Sequence, residues 1–131
     1  MSKYFLTIVF LIGASLTPAT AVAQDSKTET EQTYLDFQVE KAAKVKAQAS
    51  PEYPDVLRMA RVEGTVLVQF VVDESGSPQM STFKVLRSSD SQFSESVRRA
   101  VSRSAFYPAE IKGKKVRQLV QQPYTFASST K

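Results

Sequence analysis

The chain has no cysteine, no histidine and no tryptophan among its 131 residues. Without cysteine there is neither a disulfide framework nor a thiolate metal site. Without histidine it lacks the commonest general base, the commonest transition-metal ligand and the usual switch of charge near neutral pH. The missing tryptophan excludes nothing. No glycine-rich phosphate loop is present. Glu63, Asp73, Glu74 and Asp90 fall at turns and caps and make no catalytic or metal-binding spacing. Ser81-Thr82-Phe83-Lys84 matches the S-x-x-K pair of penicillin-binding proteins. That pair needs a helix to bring both side chains to one face, whereas this segment reads as a strand, where positions three apart point to opposite faces. Ser88 and Ser89 read as a cap or turn, because nothing activates either hydroxyl. The chain is therefore not expected to be an enzyme, and no cofactor is expected.

What is present begins with an apolar leader. Lys3 precedes an uncharged run from Tyr4, Pro18 interrupts it, and Ala21-Val22-Ala23 offers small residues for a signal peptidase. Residues 1–23 thus read as a secretory signal peptide, with cleavage after Ala23 or Gln24. The alternative is an uncleaved membrane anchor, since Tyr4 to Ala23 gives 20 uncharged residues. With Lys3 set aside, 16 basic residues face 13 acidic ones, unevenly placed. Residues 25–63 hold 6 basic and 8 acidic side chains, and residues 64–131 hold 10 and 5. In an exported protein such a basic half reads as a solvated face or an attraction to anionic envelope polymers, and nucleic acid is not expected as a partner.

Residues 24–52 form a polar leader and linker, with a short strand at 33–41 where Leu35, Phe37 and Val39 alternate onto one face. Tyr53-Pro54 opens the compact part, because proline suits a first helical turn. Val56, Leu57 and Ala60 follow at helical spacing. Thr65 to Asp73 is a strand with Val66, Val68, Phe70 and Val72 facing a core. Asp73-Glu74-Ser75-Gly76 makes a type I turn. The return strand places Ser81, Phe83 and Val85 on one face, and Ser88-Ser89-Asp90 offers N-caps for an amphipathic helix from Gln92 to Phe106. That helix carries Phe93, Val97, Ala100 and Val101 inward, and Pro108 follows it. A basic turn around Gly113 leads to a last strand, Val116 to Phe126, whose Pro123 confines it to an edge. Residues 127–131 are a tail. The order is (β)-α-β-β-α-β, an α+β layer with two helices packed on one face of a small antiparallel sheet. Tyr53, Tyr107 and Tyr124 read as packing at the edge of the core. An open, proline-bearing terminal strand is either blunted or used to accept a partner peptide as an added strand.

The ordered set Tyr53-Pro54, Leu57-Arg58, Gly64, Val66, Val68, Phe70, Val72, Asp73 and Gly76 resembles the C-terminal domain of the TonB family. The resemblance continues through Val85, Ser88, Ser89, Phe93, Ala100, Val101, Phe106, Pro108, Ala109, Gly113 and Val116, and so spans residues 53–126. It implies a periplasmic domain that binds the TonB box, a short extended segment of outer-membrane transporters, beside its last strand. In that family the domain passes work from ExbB and ExbD to the transporter. The contact residues it implies are Tyr53, Pro54, Val116, Arg117, Gln118, Leu119, Val120, Gln121, Gln122 and Tyr124. Two features of the family are missing. There is no membrane-helix histidine and no proline-rich spacer, and residues 24–52 extend over only about 100 Å. A soluble chain would therefore need another, anchored protein to reach ExbB and ExbD. The competing expectation is a structural envelope or protein-interaction module with no role in energy transduction. In that module the edge is filled by the chain's own 33–41 strand or by a second copy in a homodimer.

Overall fold

The computed structural model describes residues 32–128, together with Gly13. The leader at 1–23, nearly all of the polar stretch 24–32 and residues 129–131 lie outside the described residues. In chain order the elements are β1 (Thr33–Tyr34), a 3-10 turn (Asp36–Gln38), β2 (Lys44–Ala47), α1 (Asp55–Met59), β3 (Gly64–Val72), β4 (Pro78–Ser88), α2 (Ser91–Ser102), β5 (Ala105–Tyr107), β6 (Ala109–Ile111) and β7 (Lys114–Phe126). The main sheet runs β1-β7-β3-β4, with β6 joined to the start of β7. β3 is antiparallel to both neighbours, and β2 pairs separately with β5. This is the α+β architecture expected, with both helices contributing to a core on one face of the sheet.

The core follows from the period-two pattern of β3. Val66, Val68, Phe70 and Val72 are all at most 1% exposed, and they share a face with Gln118, Val120, Gln122 and Tyr124 across the β3–β7 ladder. Onto that face α2 lays Phe93, Val97, Ala100 and Val101, all fully buried, while Arg98, Arg99 and Arg103 stay outside. The helix starts where Asp90 accepts the N–H of Gln92 at 2.8 Å, satisfying one of its unpaired donors. Phe93 stacks on Phe126 with ring centroids 4.3 Å apart, and Tyr53 meets both rings edge-on. α1 is one short turn that buries Leu57 and closes with Val62 N–H on the Leu57 carbonyl.

The turn between β3 and β4 is built around Asp73. Its carboxylate accepts the N–H groups of Ser75 and Ser77, each at 2.9 Å, the Ser75 hydroxyl at 2.5 Å and the Gln79 amide at 2.6 Å. Burial pushes this carboxyl pKa up, but those hydrogen bonds outweigh it and hold it below the usual value. Gly76 sits at φ +84°, and a Cβ there would lie 1.9 Å from the Phe106 carbonyl oxygen. Only glycine allows this approach, and the Phe106 N–H returns a 2.9 Å bond to the Gly76 carbonyl.

Three local expectations are corrected. The alternation over 33–41 makes a strand only at Thr33–Tyr34. The Gln38 side chain then accepts the Leu35 N–H at 2.8 Å and curls the backbone into the 3-10 turn. The helix from Gln92 does not reach Phe106. It stops at Ser102, where Ser104 turns its hydroxyl onto the Ala100 carbonyl, and Ala105–Tyr107 pair as β5 with a strand inside the expected linker. The return strand β4 carries two bulges against β3, so Ser81 and Val85 end up exposed. Among the described residues, no helix is long and apolar enough to cross a membrane.

Candidate strand-addition edge

Which way the polar groups of β7 point is settled by its neighbour. The Val71 N–H donates to Thr82 Oγ1 of β4 at 2.9 Å. The Thr65 N–H donates to Ser89 Oγ at 2.9 Å, and the Thr65 carbonyl accepts the Ser89 N–H at 3.1 Å. Both residues thus turn their main chain away from β7. In an antiparallel ladder, opposed residues either exchange bonds or both face outward. Val71 opposes Leu119 and Thr65 opposes Thr125, in a register that runs unbroken from Gly64 to Val72. Leu119, Gln121, Pro123 and Thr125 therefore present their backbone to the outer edge. Proline at 123 fits this set, because it has no N–H to give to β3.

That edge is only partly covered. Thr33 and Tyr34 pair in parallel with Arg117 and Gln118. Beyond Gln118 no strand pairs with the outer side of β7 among the described residues. Beside this stretch lies a groove of about 530 Å³. Its floor is Gln118 to Gln122, and its walls are Leu35, Asp36 and Phe37 from the turn, Ala43 and Val45 from the β2 arm, and Phe106 from β5. The wall is apolar and open: Leu35 is 40% exposed, Phe37 81% and Val45 40%. Gln118, itself buried, ties the wall to the strand. Its Oε1 accepts the Ala43 N–H at 2.7 Å and its Nε2 donates to Asp36 at 3.3 Å.

The other edge of the sheet differs. β4 begins at Pro78, carries two bulges and exposes Lys84 and Arg87. These are the devices that blunt an edge against pairing. β7 has none of them between Leu119 and Gln122, where its register with β3 is straight.

The residues that sequence reasoning named are not all brought together. Gln118, Leu119, Val120, Gln121 and Gln122 line the groove. Val116 lies opposite Ala109 of β6 and is buried, and Arg117 lies opposite Thr33. Tyr124 faces the core at 6% exposure. Its hydroxyl donates to Gln122 at 2.9 Å, and burial pushes its pKa up against an opposing bond from Gln48. Tyr53 packs on Phe93 and Phe126 and donates its hydroxyl to the Val62 carbonyl, so Tyr53-Pro54 do not line the groove. Sequence reasoning missed the wall: it puts Leu35 and Phe37 on one face of a short strand, Val45 in a linker and Phe106 at a helix end. The one available signal was apolar side chains in an otherwise polar segment, at Leu35, Phe37 and Val45.

Comparison with known proteins agrees with this fold. No match is found among curated proteins. A solved structure described as the solution NMR structure of the Pseudomonas aeruginosa TonB C-terminal domain superposes with a TM-score of 0.58 at 26% identity. The match covers 68% of this chain and 89% of that one. The family described as Gram-negative bacterial TonB protein C-terminal matches residues 49–127, more than half of the chain. A domain of this kind is periplasmic, transport-related and non-enzymatic, and the chain belongs to that family.

Proposed function

We propose that this protein binds the TonB box of an outer-membrane transporter in the periplasm, as an added strand on the outer edge of β7, in energy-coupled transmembrane transport. The observation that supports it is the edge itself. The outward N–H of Gln121 stands without a strand partner beside the open apolar wall of Leu35, Phe37 and Val45. Main-chain bonds supply affinity in such a complex, and alternate side chains supply specificity. β1, already seated on the same edge, supports the idea that the edge accepts a further strand. On this reading the protein is exported, and work from an ExbB/ExbD-type complex reaches it through another, anchored protein.

A structural envelope module with a self-filled edge is the competing reading. β1 favours it, but covers only Arg117 and Gln118. The test is a titration of isotope-labelled protein with a synthetic TonB-box peptide. Saturable shifts centred on the Gln121 amide are expected. If the spectrum is unmoved at millimolar peptide, the transporter reading falls and the module reading takes its place.

A further inference from the structure

We infer that β1 and Pro123 are stops at the two ends of a docking frame, and that Pro123 fixes the register of the strand that enters it. The inference rests on the strand-addition reading above and specifies what that edge selects.

The first stop is β1. Thr33 and Tyr34 occupy the edge opposite Arg117 and Gln118. The chain then leaves through the 3-10 turn, which Gln118 holds through Asp36. An incoming strand cannot run past Gln118 while this segment is seated. The second stop is Pro123. It belongs to the outward-facing set but carries no N–H. Because Gln118 turns its own backbone to β3, its parallel pair with Tyr34 puts the Leu119 N–H on the Tyr34 carbonyl, so the open edge offers a donor at Gln121, then a gap, with the next donor at Thr125. Carbonyls at Leu119, Gln121 and Pro123 complete the frame. A partner carbonyl placed opposite Pro123 gains no donor, and a desolvated acceptor left unpaired weakens the complex. Sliding the partner by two residues toward Phe126 thus loses a bond. Sliding it by one puts its apolar side chains on the wrong face.

The frame also decides which side chains are read. Partner residues directly opposite Leu119 and Gln121 lie on their face of the sheet, beside Gln69 and Val71. The residues between them lie on the face of Val120 and Gln122, against Leu35, Phe37, Val45 and Phe106. The partner is therefore an extended segment that needs apolar side chains at alternate positions opposite Val120 and Gln122. It tolerates polar ones elsewhere, and excludes proline where its own N–H must reach Leu119 or Gln121.

The test uses the full chain, the variant Pro123→Thr, and two TonB-box peptides that differ by two residues at the end nearest Phe126. Amide exchange and calorimetry are read together, with circular dichroism to check that the variant folds. In the wild type, peptide should protect the Gln121 amide and leave Thr125 unprotected, and the two peptides should bind alike. In Pro123→Thr the added donor should extend protection to residues 123 and 125 and tighten the longer peptide about five- to tenfold. If the wild-type Thr125 amide is protected, or the variant's affinity for the longer peptide is unchanged, Pro123 is no stop while the strand-addition reading stands. Should Pro123→Thr fail to fold, the wild-type exchange pattern and the comparison of the two peptides still decide. If neither peptide binds wild type, the strand-addition reading itself falls, and the frame with it.

Discussion

Neighbouring positions on β7 should respond oppositely to proline. Val120 opposes Phe70 and, lying between outward-facing Leu119 and Gln121, turns its N–H to β3. Val120→Pro removes that ladder bond and leaves the Phe70 carbonyl, in the buried heart of the sheet, without its donor. An unsatisfied buried group costs about 1–3 kcal/mol, and the ring adds steric strain in a paired strand. It also removes Val120's own packing against the core. For a domain whose total stability is about 5–15 kcal/mol, the melting transition should fall sharply. Gln121→Pro removes an N–H that faces the outer edge, as Pro123 already does two residues on. Its effect on folding should be small, but a peptide bound at the edge would lose a main-chain donor, weakening it by about 1–3 kcal/mol, or roughly five- to 150-fold. Thermal melts by circular dichroism and peptide titration of both variants separate the two effects. A Gln121→Pro protein that melts far below wild type would show that its N–H serves the sheet. A folded Gln121→Pro protein that binds as wild type would show that the edge is not where peptide goes.

Much of this was legible in the sequence, where one local pattern has one physical solution. Val66, Val68, Phe70 and Val72 alternate without exception, so their strand and its buried face could be read directly. Asp73 and Gly76 at turn spacing, and Asp90 ahead of an amphipathic run, are local chemistry of the same kind. The edge was legible in type, because a proline inside a terminal strand must turn its missing donor outward. The wall of the groove was not. Leu35, Phe37 and Val39 alternate as a strand would, and nothing nearby says that Gln38 will fold back on Leu35. Phe106 continues the helical stripe of α2 by spacing. Its true partners are Gly76 and Val45, distant in sequence, and that contact converts the helix end into β5. Pairing over such separations is set by which surfaces meet after the core has formed, which propensity cannot report. The site is split accordingly: its floor could be read in β7, and its wall comes from segments that only the fold places there.

Three further outcomes test the energetics of the domain. Gly76→Ala should lower the melting temperature strongly, because the new methyl group would sit 1.9 Å from the Phe106 carbonyl at a φ of +84°; an unchanged melt would mean that the turn does not dock on β5. Tyr124, whose pKa is raised from 10.0 chiefly by burial, contributes stability that is full below pH 10 and declines as pH climbs toward its folded-state value, since only the unfolded chain ionises in that window. Denaturant midpoints should therefore drop as pH rises past 10, and Tyr124→Phe should flatten that drop. The largest loss is expected from Phe70→Ala. Phe70 is fully buried, with its ring 5.5 Å from Phe106 and 6.5 Å from Phe83, so truncation opens a void bounded by β3, β4 and β5 together. A buried Phe→Ala change costs about 3–5 kcal/mol, a large fraction of the margin of so small a domain. The variant should be unfolded or barely folded at room temperature by circular dichroism. If it melts like wild type, the buried face of β3 is not where the stability resides, and the Thr65, Leu67, Gln69 and Val71 face would have to supply it instead.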